Sequence, residues 1–156
     1  TALIPWLQEN DVICCLENMF TWDENTTYAS CCANPLEAVQ YLERLNDIAG
    51  EKNRFAFCFD TGHALLSGTD LREAITVLGD HLQCLHIHDN DGRKDLHRMP
   101  YTGIIDWERF LDGLRIIDYQ GVLSFEAFGP YPEDLWLDAL QFMGKIGASF
   151  SRALAK

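Results

Sequence analysis

Four short apolar runs, at residues 12–17, 55–60, 83–88 and 122–126, each carry an acid or a histidine near their C-terminal end, with helical periodicity filling the intervals. Each run is five or six residues of mostly aliphatic, aromatic and cysteine side chains, the length of a buried strand. Start signals mark the helices between them. Asn34-Pro35-Leu36-Glu37 supplies an N-cap, a first-turn proline and a box-closing glutamate. Leu36, Val39, Leu42, Leu45 and Ile48 then follow the helical period, and Gly50 can close the helix. Asp70 with Glu73 opens the second helix, and Asp106 caps the third, whose stripe is Phe110, Leu111, Leu114 and Ile117. Pro132 and Glu133 start the last, while residues 2–9 read as the tail of a helix ahead of the first strand. Such alternation implies parallel strands joined by helical crossovers, in a doubly wound open sheet or in part of a (β/α)8 barrel.

The faces of the strands favour the barrel. Successive strand side chains point to opposite faces. Phe55, Phe57 and Phe59 therefore share a bulky face suited to lie under helices, and Ala56, Cys58 and Asp60 share a small one suited to a crowded interior. Cys84, His86 and His88 oppose Leu85 and Ile87; Val122, Ser124 and Glu126 oppose Leu123 and Phe125; Ile13, Cys15 and Glu17 share the corresponding face of the first run. All four strands thus present a metal-competent side chain, Glu17, Asp60, His86 or Glu126, at the end where barrel active sites are built. Unpaired carboxylates converging in a barrel mouth repel one another unless a cation neutralises them. This oxygen-rich set suits one divalent ion, Mn²⁺, Mg²⁺, Co²⁺ or Zn²⁺.

With 156 residues, 47% of them hydrophobic, the chain can bury one core, so a single domain over residues 1–156 is expected. Its first residue is Thr1, which suggests a piece of a longer chain. No apolar run approaches the roughly 20 residues of a membrane span, so no membrane association and a cytoplasmic location are expected. The formal charge of −12 sets most of the surface against nucleic acid and leaves small molecules as ligands. The six cysteines include no CxxC pair; Cys15, Cys58 and Cys84 read as small buried thiols, and Cys31 and Cys32 fall in a loop. The sequon Asn25-Thr26-Thr27 is taken as chance.

Four stretches, Cys15-Leu16-Glu17-Asn18, Phe59-Asp60-Thr61-Gly62-His63, Leu85-His86-Ile87-His88-Asp89 and Ser124-Phe125-Glu126, resemble the xylose isomerase-like TIM-barrel superfamily. Sugar isomerases, ketose 3-epimerases, inosose dehydratases and endonuclease IV share this layout, and the resemblance runs from residue 12 to about residue 129. It implies an α/β fold, the C-terminal half of a (β/α)8 TIM barrel built from four parallel βα units. It also implies one divalent ion held by Glu17, Asp60, His86 and Glu126. Glu17 and Glu126 then double as the paired acid and base of a divalent-metal-dependent sugar isomerase or epimerase, acting on a ketose or inosose through an enediolate. His63, three residues after Asp60, matches a substrate or second-metal contact. His88 and His97 join it as candidates for binding a sugar or polyol, with Arg93 from the polar loop 89–105 and Trp22 as an apolar wall.

Asp95-Leu96-His97 also resembles the Asp-x-His pair of endonuclease IV. A zinc phosphodiesterase using Asp60, His63, His86, Asp95, His97 and Glu126 is therefore the alternative, disfavoured by the acidic charge and by the missing first-half histidines. A catalytically incomplete, metal-binding half barrel is the other. An isolated half barrel leaves two strand edges unpaired, so a homodimer, or a separate N-terminal half barrel as partner, is expected to complete it.

Overall fold

Parallel pairing organises the chain as the alternation requires. The computed structural model describes residues 2–24, 26–129 and 131–155; Asn25 of the sequon lies outside them. The elements are α1 (Ile4–Glu9), β1 (Cys14–Glu17), β2 (Phe20–Trp22), β3 (Thr27–Ala29), α2 (Pro35–Ala49), β4 (Phe55–Asp60), α3 (Thr61–Leu66), α4 (Leu71–Leu78), β5 (Leu82–His86), α5 (Trp107–Ile116) and α6 (Trp136–Leu154). A parallel sheet runs in the order β1–β4–β5, with Glu17 opposite Cys58 and Asp60 opposite His86. This register brings the C-terminal ends of the three strands side by side.

The fourth run is less regular than expected. It joins the sheet through one parallel bridge, Ile87 with Phe125. The Ile87 N–H donates to the Ser124 carbonyl at 2.9 Å, and the Glu126 N–H donates to the Ile87 carbonyl at 3.1 Å. Val122, at its start, is 77% exposed. With no strand on its far side among the described residues, the segment is held to the sheet by these two bonds, while the Val122 carbonyl accepts from the Tyr119 hydroxyl at 3.2 Å.

The core lies between the sheet and the helices. Phe57 and Phe59 pack with Leu42 of α2, Ile75 and Leu78 of α4, Phe110 and Leu114 of α5 and Phe150 of α6, all buried. The caps act as read: Asn34, Asp70 and Asp106 each accept a bond from the first turn of their helix, and Gly50 ends α2 at φ +70°. The stripe of α2 is rotated from its expected phase, since Leu36 and Ile48 are exposed while Ala38, Leu42 and Asn46 are buried. Asn46 takes an inward position because its amide pairs with both the N–H (2.8 Å) and the C=O (2.9 Å) of Phe55 at the start of β4.

One further expectation is corrected: of the three thiols read as buried, Cys15 is exposed and Cys84 half-buried, and only Cys58 is buried. The short α3 and the β2–β3 hairpin are additional elements. The hairpin's signal was visible in the aromatic and β-branched triplets on either side of a polar stretch. No helix among the described residues is long and apolar enough to cross a membrane.

Candidate metal centre

The strand ends bring Glu17, Asp60, His86 and Glu126 together, with one ligand atom from each lying within 4.8 Å of the others. His86 is at the centre. Its Nδ1 is 3.3 Å from Glu17 Oε1, 2.9 Å from Glu126 Oε2 and 3.9 Å from Asp60 Oδ2. Asp60 is fully buried, whereas the other three side chains are about a third exposed. The cluster is thus closed behind and open in front.

Asp60 is held from three directions. As N-cap of α3 it accepts the His63 N–H at 2.7 Å. His88 Nε2 lies 2.9 and 3.0 Å from its two carboxylate oxygens. The Asn18 side chain clasps its backbone, donating to the Asp60 carbonyl at 2.9 Å and accepting its N–H at 2.8 Å. His88 is fully buried, stacks on His97 at 4.1 Å between ring centroids, and is bracketed by Thr61 Oγ1 at its own N–H and C=O. Its ring occupies the space that a Cβ on Gly62 would fill. This places His88 behind Asp60, away from the open front. Asn18, Thr61 and Gly62 are supporting residues that sequence reasoning quoted without assigning them a task.

His63 is buried beside the cluster, with Nδ1 3.0 Å from the Asn18 carbonyl and 3.4 Å from Glu17 Oε1, and Nε2 3.4 Å from Asp95 Oδ2. Burial disfavours its protonated form, but Asp95, Glu17 and Asp60 outweigh that and raise its pKa to about 10. In return the His63 hydrogen bond holds the Glu17 carboxyl below the usual carboxylate range, against the opposing effect of burial. The imidazolium therefore offsets part of the local negative charge.

The loop after β5 adds Asp95 and His97. His97 sits at φ +46°, its Nδ1 2.8 Å from the Glu126 carbonyl and its Nε2 3.0 Å from Asp95 Oδ2. The loop is anchored by Asp89, a fully buried carboxylate that accepts the N–H groups of Asn90, Gly103 and Ile105 and the indole N–H of Trp107. A Cβ at position 103 would run into Asp89 and the Asn90 carbonyl, so glycine is required there. Asp89 was quoted in a motif, but a carboxylate serving its own loop has no sequence signature beyond its place after the strand.

Trp22 and Arg93 stand beside the cluster rather than in it. With Phe20, Thr27, Lys94 and Asp95 they line a cleft of about 750 Å³. Trp22 is 70% exposed, and Phe20 spans from it (5.6 Å) to His63 (5.1 Å), making an aromatic wall that leads toward the acids.

The donor set fits a divalent cation. Two unit charges 4 Å apart interact by about 4 kcal/mol at an effective dielectric of 20, so three carboxylates this close are costly without a counter-charge. Two overlapping groups, Asp60–His63–His88 and His88–His97–Glu126, have the same close spacing. Among the described residues, His88 Nδ1 and Asp95 Oδ1 are buried without a hydrogen-bond partner, which leaves unused donor and acceptor capacity beside the acids.

A family model described as the xylose isomerase-like TIM barrel matches residues 1–146. The uncharacterized protein y4fM of Sinorhizobium fredii is 36% identical over 70 residues, covering 45% of this chain and 22% of that one. The structure of L-ribulose 3-epimerase superposes with a TM-score of 0.69 at 21% identity, over 97% of this chain and 52% of that one. A D-allulose 3-epimerase from Methylomonas sp., in complex with D-allulose, gives 0.66 at 21% identity, over 96% and 51%. At such identity the likeness establishes the fold. The chain spans about half the length of these solved relatives, and its parallel βα units are half of a TIM barrel.

Proposed function

Because the chain belongs to the xylose isomerase-like TIM-barrel family, we propose that it carries the metal and proton-transfer residues of a sugar isomerase or epimerase acting on a ketose or inosose. The observation that carries this reading is the convergence of Glu17, Asp60, His86 and Glu126 from separate strand ends. These four would hold one divalent ion, Mn²⁺, Mg²⁺, Co²⁺ or Zn²⁺, which when bound polarises carbonyl and hydroxyl oxygens of the sugar.

The chain's own residues then divide the work. The His63 hydrogen bond keeps Glu17 ionised, the form that takes a proton from the carbon next to the sugar carbonyl. Glu126, whose Oε2 is 2.9 Å from the same His86 nitrogen that Glu17 approaches, returns a proton to that carbon on this reading. Asp60 accepts from its backbone and histidine partners, and its cradle of Asn18 and His88 holds it in one orientation. Trp22 and Phe20 offer apolar faces to the C–H side of a sugar ring or chain, and Arg93 supplies donors for a hydroxyl or carboxylate at the far end of the cleft. The remaining wall of the barrel would come from four further βα units, whether in a longer chain, a partner half or a second copy.

A specific geometry favours one second reading. Asp95 lies between His63 and His97, 3.4 and 3.0 Å from their Nε2 atoms, as a multi-zinc phosphodiesterase of the endonuclease IV type would require. The charge of −12 weighs against it.

Elemental mass spectrometry on the chelator-free chain tests both. About one ion per chain, lost in Glu126→Gln, supports the isomerase reading. Two or three zinc ions per chain favour the phosphodiesterase, and no metal at all removes the basis of both. Solvent-deuterium incorporation into D-allulose or L-ribulose, absent with Glu17→Gln, then tests the chemistry.

A further inference from the structure

Below the carboxylates, the same interior face carries thiols that the proposed chemistry does not use. Cys58 and Cys84 are register partners on adjacent strands β4 and β5. One ligand atom each from Cys58, Cys84 and His86 lies within 4.8 Å of the others. Cys58 is buried, Cys84 half-buried and Cys15 exposed, so the group is closed toward the helices and open toward the barrel interior. Filling the core accounts for Cys58 but not for two thiols facing an open interior.

We propose that Cys58, Cys84 and His86 form a second, soft-metal site for a thiophilic divalent ion such as Zn²⁺ or Cd²⁺, with Cys15 beside it. Two thiolates and an imidazole are a soft donor set, opposite in preference to the carboxylates above. A tetrahedral ion with sulfur at about 2.3 Å spaces its ligands about 3.7 Å apart, which the observed group reaches by a small contraction. On binding, each thiol releases its proton to solvent and its sulfur bonds to the ion, with no change of oxidation state.

His86 belongs to both groups. An ion held by the thiols therefore engages a side chain that the carboxylate set also uses, and on the proposed function above, soft ions lower the activity.

The test is a Cd²⁺ titration of the reduced, chelator-stripped chain, following thiolate-to-cadmium charge-transfer absorption in the ultraviolet. The expected result is saturation at one ion per chain, with affinity at least about tenfold weaker in Cys58→Ser and in Cys84→Ser. The band should persist in Glu126→Gln, which separates this site from the carboxylate site. It should also persist in the Cys31→Ser, Cys32→Ser double variant, which removes the other close thiol pair, 3.6 Å apart. No band in the parent chain overturns the proposal, as does an affinity left unchanged in Cys84→Ser or a band lost in either control. Cys84 is half-buried, so its variant serves if circular dichroism shows that Cys58→Ser does not fold.

Discussion

Replacing Gly62 by alanine sets local propensity directly against packing. Gly62 lies in the first turn of α3, where alanine is favoured over glycine by at most the interior value of about 1 kcal/mol. The structure opposes this, because the new Cβ falls on the His88 ring. That ring is fully buried, stacked on His97 and engaged with both Asp60 oxygens, so it has no free space into which to turn. Overpacking costs about 1–3 kcal/mol, and a lost hydrogen bond to a buried carboxylate about 1.5–3 kcal/mol. The net expectation is a destabilisation of about 1.5–5 kcal/mol, or roughly 3–20 °C in Tm for a chain of this size. Gly144→Ala is the matched control, since it sits in α6 with nothing within 4 Å of its Cβ and should stabilise by roughly 0.5–1 kcal/mol. Urea and thermal unfolding of both variants measure the difference. If Gly62→Ala is as stable as the parent or more so, the tight contact between α3 and His88 is wrong, and with it the account of how Asp60 is oriented.

Asn18→Ala removes both bonds to the Asp60 backbone and leaves two buried groups unpaired; chemical denaturation should show a loss of about 2–4 kcal/mol. Acid sensitivity should follow Asp70, whose carboxyl the Arg109 guanidinium, 2.6 Å away, holds below its ordinary range. A depressed carboxylate contributes stability above its unfolded pKa and loses it as pH falls through the folded value, so Asp70→Asn should flatten the stability profile below about pH 4. At neutral pH the same change should cost no more than about 1 kcal/mol, because both side chains are about a third or more exposed. A divalent ion at 100 times its Kd should stabilise the chain by about 2.7 kcal/mol, reversed by chelator and absent in Glu126→Gln by differential scanning fluorimetry.

Much of the candidate site was legible because its signals are local. The alternation Ala56–Cys58–Asp60 against Phe55–Phe57–Phe59 puts an acid on the interior face whatever the strand order, and Asn34, Asp70 and Asp106 announce their helices by chemistry within one turn. The phase of α2 was misjudged because hydrophobicity alone cannot show that Asn46 is satisfied by the backbone of Phe55, nine residues away. The regular fourth strand was expected from its composition, yet a strand also needs partner strands, and among the described residues Val122 pairs with none.

By itself, then, the sequence determined which side chains of each strand share a face, where the helices begin, and that four metal-competent residues stand at strand ends. These follow from periodicities and caps only a few residues long. Only the tertiary structure decided that Glu17, Asp60, His86 and Glu126 meet within 4.8 Å, that His88 stands behind Asp60, and that Cys58 and Cys84 lie side by side. Those relations join residues far apart in the chain, and they depend on strand order, register and the space left by a missing Cβ at Gly62, none of which a local pattern encodes.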